Sequence, residues 1–405
     1  MTEAVIVAIG RSPIARARKG GLVDVRADEL ATQVFQGVLD QVPDLDPTAL
    51  EDLYLGVSEP SGEQGFNLAR QVAALLGLDD LPGATVNRFC ASSLQATRMA
   101  YHAIKAGEGH AFLVGGVESI SRYPALDPQP NLRFSDRTKE IGERIASGKS
   151  WGDPRTDGVA PDGMITLGFG MGLTAENVAR MTGTTRADQD EYALRSQSLA
   201  ARSASDGFFA REIVPIIRPD GSRFTADDSI RPSTTRQGLA ALEPAFDPAG
   251  TVTAGNCCPF NDGASGAVIV SAEFAASHGL TPLARIVATG VSGLSPEIMG
   301  LGPVESSERA LWLAGMTIDD IDIVEMNEAF AAQVLPSARQ LDIDIAEKLN
   351  PFGGSIALGH PYGATGVRLL TTLINGLRTR DQTLGMATLC VGGGQGMAVV
   401  VERMS

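Results

Sequence analysis

Cysteine is scarce in this sequence of 405 residues, which contains Cys90, Cys257, Cys258 and Cys390. So few scattered cysteines cannot build a disulfide framework, and no CxxC pair offers a metal site. This usage is typical of a protein from a reducing compartment. We therefore expect neither disulfides nor a bound metal.

Basic residues and long apolar runs are also in short supply. The 33 lysines and arginines are outnumbered by 48 acidic residues, giving a net charge of −15, so most of the exterior should repel nucleic acid and anionic membranes. No stretch approaches the ~18 apolar residues of a membrane-spanning helix. The N-terminal residues lack the charge order of a secretory signal, because an acidic residue precedes the short apolar run and Arg11 follows it. We expect a cytoplasmic protein that binds neither nucleic acid nor membranes.

The chain does contain enough apolar material for a large packed core. Apolar residues make up 43% of the sequence and charged residues 20%, which is close to the average for soluble globular proteins and far from the composition of disorder. At roughly 150 residues per domain, this length predicts two or three domains.

One plan of alternating strands and helices occurs twice along the chain. In the first half, the pattern predicts strands at Ala4–Ile9, Leu53–Val57 and Ala111–Val114, the last ending at Gly115-Gly116, with helices at Ala27–Leu39 and after Cys90. In the second half, it predicts strands at Ala284–Thr289, Ile321–Glu325 and Met386–Cys390, with helices at Ser306–Ala314 and after His360. Such alternation favours parallel or mixed sheets covered by helices. The sequence therefore predicts an α/β fold whose two similar halves pack face to face and bring Cys90 and His360 to one cleft.

The composition and the secondary-structure pattern change between the halves, from about residue 122 to residue 250. Proline and glycine become frequent in residues 124–163, and helical patterns follow at Thr174–Met181 and Ala187–Ser205. We interpret the segment as a loop domain laid over the cleft; an irregular surface excursion is the alternative. The predicted boundaries are residues 1–122 with 251–273 for the first half, 123–250 for the loop domain and 274–405 for the second half.

Cys90 lies between a strand pattern at Ala84–Val86 and a helical pattern that begins near Ser92. A thiol at a helix N-terminus has a lowered pKa, because the free N–H groups and the helix dipole favour the thiolate. The small residues after Cys90 would leave its sulfur accessible. Cys90 is therefore a candidate nucleophile, although a free cysteine in such a place often only packs.

Three other residues lie where the backbone is glycine-rich or a helix is expected to begin. His360 belongs to the glycine-rich segment 350–366, where an imidazole can take a proton or donate to an oxyanion, unless the loop is only structural. Cys390 ends a predicted strand before VGGGQG, whose N–H groups can bind an oxyanion; the alternative is a buried cysteine before a tight turn. Asn327 is first of all a predicted helix N-cap, and an N-cap can also hold a water in an active site.

Together these segments resemble the thiolase family over essentially the whole chain. VNRFCASSLQA, NEAF, NPFGGSIALGHPYGATG and CVGGGQG match the family's catalytic segments in order and separation. The resemblance implies a duplicated thiolase fold, layered αβαβα, in a homodimer or homotetramer. It implies thiolytic cleavage of 3-oxoacyl-CoA, or the reverse Claisen condensation, through a covalent thioester, with coenzyme A as co-substrate and no tightly bound cofactor.

The resemblance also implies a role for each catalytic residue. Cys90 would be acylated after losing its proton to His360. His360 and a water held by Asn327 would form a first oxyanion hole, for the enolate of acetyl-CoA. Cys390 would exchange a proton with the α-carbon of acetyl-CoA, and the N–H groups of Cys90 and Gly392 would form a second oxyanion hole.

Contacts with the substrate carry over as well. Arg231 matches a basic residue near the CoA adenine, and residues 253–264 match a loop that contacts pantetheine. Cys258 stands where many members have a serine, so this chain lacks that hydroxyl. Three residues match the lining of the acyl pocket and would equally suit an ordinary core: Met171, Met299 and Phe330.

Gly170 stands where short-chain biosynthetic members often place a histidine, which favours the degradative 3-oxoacyl-CoA group and a role in fatty-acid β-oxidation. One alternative is an acetoacetyl-CoA-specific acetyl-CoA acetyltransferase. Others are a non-catalytic thiolase-like protein that binds acyl-CoA or lipid, and a cysteine hydrolase. The presence of two candidate cysteines with a histidine and an asparagine favours the transferase over these last two.

Overall fold

The computed structural model describes residues 2–123 and 171–405. Its strands, β1 to β12, are Ala4–Arg11, Ala15–Arg16, Asp52–Gly56, Gly83–Val86, Ala111–Ser119, Ile216–Ile217, Arg223–Phe224, Asn261–Ser271, Ala284–Gly293, Ile323–Met326, Leu384–Val391 and Gln395–Arg403. Its α-helices, numbered α1 to α11 along the described residues, are Ala27–Leu39, Leu68–Leu75, Ser92–Ala106, Met171–Thr182, Arg186–Ser205, Arg236–Ala240, Ala272–Ser277, Gly302–Ala314, Ala331–Gln340, Ser355–Leu358 and Thr365–Arg380. None of these helices is both long and apolar enough to cross a membrane.

One strand order is used twice within a single ten-stranded sheet. The sheet runs β10-β11-β12-β9-β1-β8-β5-β3-β4, with β2 beside β8. The first half reads β4-β3-β5-β8-β1 across the sheet. Numbered one to five in chain order, these strands have the order 3-2-4-5-1. The second half repeats it, with a parallel bridge between Leu349 and Val324 in the place of its third strand. The halves join where β1 and β9 pair antiparallel, at Val5–Arg285 and Ile6–Ala284. The prediction of one plan used twice is confirmed.

Alternate residues of the central strands face different cores. Val5 and Val7 of β1 pack into an outer core with α1 and α2, whereas Ala4 and Ile6 face an inner core. The inner core also receives β11 and β12 of the second half, together with α3 and α11, which pack against each other. A third core lies on the far side of the second half, under α8 and α9. Each half of the continuous sheet therefore forms a layer of its own, and the layers run helix, sheet, helix, sheet, helix, as predicted.

Most predicted elements are present, some with different ends. Helix α1 has the predicted bounds, but β5 continues through Gly115 and Gly116 instead of ending there. A side chain at Gly115 would lie 2.2 Å from the carbonyl oxygen of Ser265, and one at Gly116 would lie 2.0 Å from that of Gly363. Gly115 thus allows close packing against β8, and Gly116 allows close packing against the turn at Gly363. These glycines do not mark the end of β5. Strands β8 and β12 were not predicted, because both are buried along nearly their whole length and show no alternation.

The segment between the halves is described from residue 171 onward. It contains the two predicted helices as α4 and α5, each beginning slightly earlier than expected. Helix α5 starts after Thr185, whose side chain forms a capping box with Asp188. The proline- and glycine-rich residues 124–163 and Gly170 lie outside the described residues, and the boundaries of a loop domain remain a prediction.

Candidate active site

A cavity of about 560 Å³ is lined by residues from both halves and from the segment between them. Most of the predicted site residues line it: Cys90, Met171, Arg231, Cys258, Met299, Phe330, His360 and Cys390. The two others lie directly behind its wall, since Asn327 contacts His360 and the N–H of Gly392 faces the Cys90 thiol. The fold thus brings the predicted residues together from distant parts of the chain.

A tight turn delivers Cys90 to this cavity. After β4 the chain forms one 3₁₀ turn, Phe89–Ala91, before α3 begins. Phe89 has φ of +44°, a left-handed conformation that a bulky residue rarely adopts. Its N–H donates to Asn87 Oδ1 at 2.8 Å, and its carbonyl accepts from the Ser92 hydroxyl at 2.6 Å. Side chains on both sides of Cys90 therefore hold the turn.

The prediction of a lowered pKa for Cys90 is wrong. Burial raises the pKa of its thiol to about 12, although the N–H groups of Gly392 and of Cys90 itself act in the opposite direction. The residue keeps some exposure, but its sulfur is surrounded by protein. Removing a thiolate from water costs more free energy than the hydrogen bonds from these N–H groups contribute to its stability. Cys90 is therefore a protonated thiol at rest and needs a base.

His360 is held as a neutral imidazole. Its Nδ1 lies 2.7 Å from Thr365 Oγ1, and that hydroxyl donates to the carbonyl of Pro361 at 2.9 Å, so Nδ1 carries the ring proton. Burial, followed by the charge of Arg368, lowers the pKa of His360 to about 3. The other nitrogen, Nε2, lies 3.2 Å from the Asn327 amide nitrogen and carries no proton in this tautomer. His360 can therefore accept a proton at Nε2.

Asn327 is not the helix N-cap that the sequence predicted. Helix α9 begins at Ala331, with Phe330 as its N-cap. The Asn327 amide instead accepts from the Ser355 hydroxyl at 2.7 Å and contacts His360. The chain stays non-helical after Asn327 because the next residue, Glu328, is tied by hydrogen bonds to other elements. Of the two readings left open, only a place in the site agrees with the structure.

Cys390 lies near the end of β11, fully enclosed by protein. Burial, followed by the proximity of Cys90, raises the pKa of its thiol. The turn after it contains Gly393 and Gly394 at φ of +77° and +80°. A side chain at Gly392 would meet the ring of Phe89 at 3.6 Å and Met171 Sδ at 3.8 Å. The turn therefore closes over Cys90.

An apolar wall continues from Cys390 towards the cavity mouth. Met299, Phe330 and Cys390 belong to one buried cluster, with Met171 packed against it. The ring of Phe246 meets Phe330 edge to face, with centroids 6.1 Å apart. The same side chains line the cavity, so the two roles weighed for them, core and lining, coexist.

The loop of residues 253–264 packs along this wall. The Cys258 N–H donates to the carbonyl of Ala329 at 3.0 Å, and Cys257 forms a backbone bridge with Phe330. All four cysteines of the chain consequently line one cavity. Arg231 lies exposed among its lining residues. Within the described residues, no cluster of histidine, cysteine and carboxylate side chains could hold a metal ion.

Several lining residues were not predicted. Arg16 and Lys19 contribute positive charge to the cavity, and the basic run ARARK in an acidic chain was their available signal. Tyr362 packs edge to face on His360, with centroids 4.9 Å apart. Ser355 and Thr365 lie inside the histidine motif, but no sequence signal shows that their hydroxyl groups contact Asn327 and His360.

Known proteins of one family match this chain along nearly its whole length. A family model described as the thiolase N-terminal domain matches residues 4–273, and one described as the thiolase C-terminal domain matches residues 280–403. Proteins named 3-ketoacyl-CoA thiolase from Idiomarina loihiensis and Aeromonas hydrophila are each 42% identical over 415 residues, covering 100% of both chains.

Solved structures give the same picture. The Bacillus anthracis acetyl-CoA acetyltransferase superposes with a TM-score of 0.86 at 36% identity, covering 100% of this chain and 99% of that one. Human mitochondrial 3-ketoacyl-CoA thiolase in complex with CoA superposes with a TM-score of 0.86 at 33% identity, covering 100% of this chain and 98% of that one.

Proposed function

Since the chain belongs to the thiolase family, we propose that it cleaves 3-oxoacyl-CoA with CoA to acetyl-CoA and a shortened acyl-CoA through an acyl thioester on Cys90. The reverse Claisen condensation uses the same groups. The observation that carries the proposal is the presence of Cys90, His360 and Cys390 in the lining of one cavity. The names of the similar proteins support a 3-oxoacyl-CoA substrate and a role in fatty-acid β-oxidation.

In the first half-reaction, His360 Nε2 takes the proton of Cys90, and the sulfur attacks the 3-oxo carbon. The bond between C2 and C3 then breaks, which leaves the acyl group on Cys90 and the enolate of acetyl-CoA. Cys390 protonates that enolate at its α-carbon. His360, with a water held by Asn327, stabilises the enolate oxygen, while the N–H groups of Cys90 and Gly392 stabilise the oxygen on the acyl carbon.

In the second half-reaction, CoA gives its thiol proton to the Cys390 thiolate and attacks the acyl carbon. Cys90 leaves as a thiolate and recovers its proton from His360, so both cysteines and the histidine return to their starting states. CoA is thus a co-substrate, and a related structure contains it. We assign the pantetheine to the loop that contains Cys258, the adenine to Arg231, and the acyl chain to the wall formed by Met171, Met299 and Phe330.

A trapped intermediate tests the proposal. The protein is incubated with 3-oxoacyl-CoA in the absence of free CoA, digested and mapped by mass spectrometry. We expect an acyl mass shift on the peptide that contains Cys90, and its loss after CoA is added. An acyl group on any other cysteine, or free acid as the product, would contradict the assignment and favour a hydrolase.

A second candidate is an acetoacetyl-CoA-specific acetyltransferase, which the similarity to the Bacillus anthracis enzyme favours. The two candidate enzymes differ in the length of the acyl chain that the site accommodates. Relative kcat/KM for acetoacetyl-CoA and a medium-chain 3-oxoacyl-CoA separates them. We expect turnover of both substrates, and turnover of acetoacetyl-CoA alone would select the second candidate.

We also propose that the chain forms a homodimer or homotetramer. Strand β4 is an edge of the sheet within the described residues, and the Asn67 side chain donates to the carbonyl of Gly83 in that strand at 2.7 Å. The preceding residue, Phe66, is 94% exposed at φ of +55°. An unpaired edge next to a large exposed ring suits pairing with a second copy. The free thiols support a cytoplasmic location.

The proposed division of the chain follows the sheet. Strand β8 pairs with β1 and β5 of the first half, although it follows the intervening segment in sequence. This supports a first half of residues 1–122 with 251–273, a loop domain of residues 123–250, and a second half of residues 274–405.

A further inference from the structure

Three hydrogen bonds link a buried arginine to His360, and a fourth joins His360 to Thr365. Arg368 Nη2 donates to Ser355 Oγ at 2.7 Å, and Ser355 Oγ donates to Asn327 Oδ1 at 2.7 Å. The Asn327 amide lies 3.2 Å from His360 Nε2, and His360 Nδ1 lies 2.7 Å from Thr365 Oγ1. All five side chains are buried. We call this set of contacts the histidine relay.

The direction of the relay is fixed by chemistry. A guanidinium group only donates, so Ser355 must accept from Arg368 and give its single proton to Asn327. The carbonyl oxygen of the Asn327 amide therefore faces Ser355, and its NH₂ group faces His360. An NH₂ group only donates, so Nε2 must accept. Thr365 agrees with this result at the other end, because its own proton is given to Pro361. A hydroxyl can rotate and donate to an unprotonated Nδ1, so Thr365 alone does not fix the tautomer.

Arg368 lies buried beside a carboxyl group. Its Nη1 lies 3.6 Å from Glu325 Oε2, and both side chains are about 1% exposed. Arg368 also lies one turn after Thr365 on α11, so one rigid helix holds both ends of the relay. Burying a guanidinium group beside a carboxyl group is a costly way to stabilise a core, which suggests another role for Arg368.

We propose that Arg368, acting through Ser355, is a positioning residue that sets the orientation of the Asn327 amide and thereby the tautomer of His360. The inference rests on the proposed role of His360 as the base for Cys90. With the amide reversed, Nε2 would face a carbonyl oxygen and would have to carry the ring proton. It would then be unable to accept the proton of Cys90.

The test compares three variants with a control on the same helix. Ser355→Ala and Arg368→Met break the relay, whereas Arg368→Lys keeps a group that only donates. Thr371→Val is the control, because among the residues that the structure describes the Thr371 hydroxyl bonds only to the carbonyl of Val367. The tautomer of His360 is read from the two ring resonances in protein labelled with ¹⁵N-histidine, beside kcat and KM for 3-oxoacyl-CoA.

In the wild type and in Thr371→Val, we expect one tautomer, with the proton on Nδ1. In Ser355→Ala and Arg368→Met, we expect a mixture of tautomers and a fall in kcat of about 10- to 100-fold, the scale of losing a group that orients a catalytic histidine. KM should stay within about 2-fold, because uniform substrate binding is untouched. Arg368→Lys should restore the single tautomer and most of kcat.

A single Nδ1–H tautomer in both disrupting variants overturns the proposal, whether kcat is kept or lost, because a loss without a tautomer change marks a structural role. The tautomer is measured without substrate. A wild type that fails to turn over 3-oxoacyl-CoA while the variants still show mixed tautomers would therefore reject the proposed function and leave the relay in place.

Discussion

Cys90 and His360 line one cavity as two neutral groups. Burial raises the pKa of the thiol to about 12 and lowers that of the imidazole to about 3. At neutral pH, the Cys90 thiolate and the His360 imidazolium therefore form only when a bound group stabilises the thiolate, or the oxyanion that its attack creates. Activation is then coupled to the presence of substrate, which limits side reactions of a resting thiolate.

His360 should make the fold sensitive to acid. Its pKa is about 3 in the folded chain and about 6.5 when unfolded, so the unfolded state binds more protons as the pH falls below 6.5. The stabilisation is complete above that value and declines as the pH falls towards 3. At pH 5 the loss is about 2 kcal/mol. Urea unfolding of wild type and His360→Asn at pH 8 and pH 5 measures it, and an equal change in both proteins would contradict this expectation.

The roles of Cys390 and Cys90 should be separable by measuring proton exchange and acylation independently. The Cys390 thiol is the only group assigned to proton exchange at the α-carbon. In acyl transfer it only exchanges a proton with the sulfur of CoA, and a thiol can also exchange that proton with water. In Cys390→Ala, we expect acylation of Cys90 by an acyl-CoA donor within about 10-fold of wild type, while exchange of the acetyl-CoA α-protons with D₂O falls by about 10²–10⁴-fold. Mass spectrometry follows the first reaction and NMR the second. Equal losses in both would remove the distinction between the two cysteines.

At the scale of elements, the loop between α10 and α11 holds His360 through its backbone. Gly359 has φ of +109°, and a side chain there would lie 2.3 Å from Asn261 Cγ. The amide oxygen of Asn261 accepts the His360 N–H at 3.1 Å. The glycine thus lets Asn261 approach closely enough to hold the catalytic loop.

Gly359→Ala should therefore disturb both stability and rate. We expect a loss of about 1–3 kcal/mol from backbone strain and contact, and a fall in kcat of at least about 10-fold as His360 shifts. Gly279 is the matched control, since it is also left-handed, at φ of +67°, but has open space around it. Gly279→Ala should cost about 1 kcal/mol without changing kcat. Similar kinetics for both variants would mean that Asn261 does not position His360.

Elements with a regular period were predicted best. Helix α1 was placed to the residue because its buried positions recur with helical spacing. Asn327 was misassigned because its partners, Ser355 and His360, are distant in sequence, and the local pattern of an N-cap resembles that of a loop residue in a site. The candidate cysteines and histidine of the site were found from their motifs. The high pKa of Cys90 depends on burial, which no local sequence signal reports.

At the scale of the whole molecule, the open edge at β4 predicts the mode of assembly. Phe66→Glu places a charge where the ring is 94% exposed, so we expect the dimer to dissociate to monomers in light scattering across a dilution series. Trp312→Glu is the control, because Trp312 is 77% exposed on α8, away from that edge. A Phe66→Glu protein with the mass of the wild type would place the interface elsewhere.

The middle layer formed by α3 and α11 bears on how such a chain arose. A half made alone would leave the inner face of its sheet and one flank of its central helix in contact with water. Such an ancestor would have needed a second copy before it could persist as a folded protein. Duplication followed by fusion would then have tied together two partners that already depended on each other, and left each free to acquire its own reactive residue.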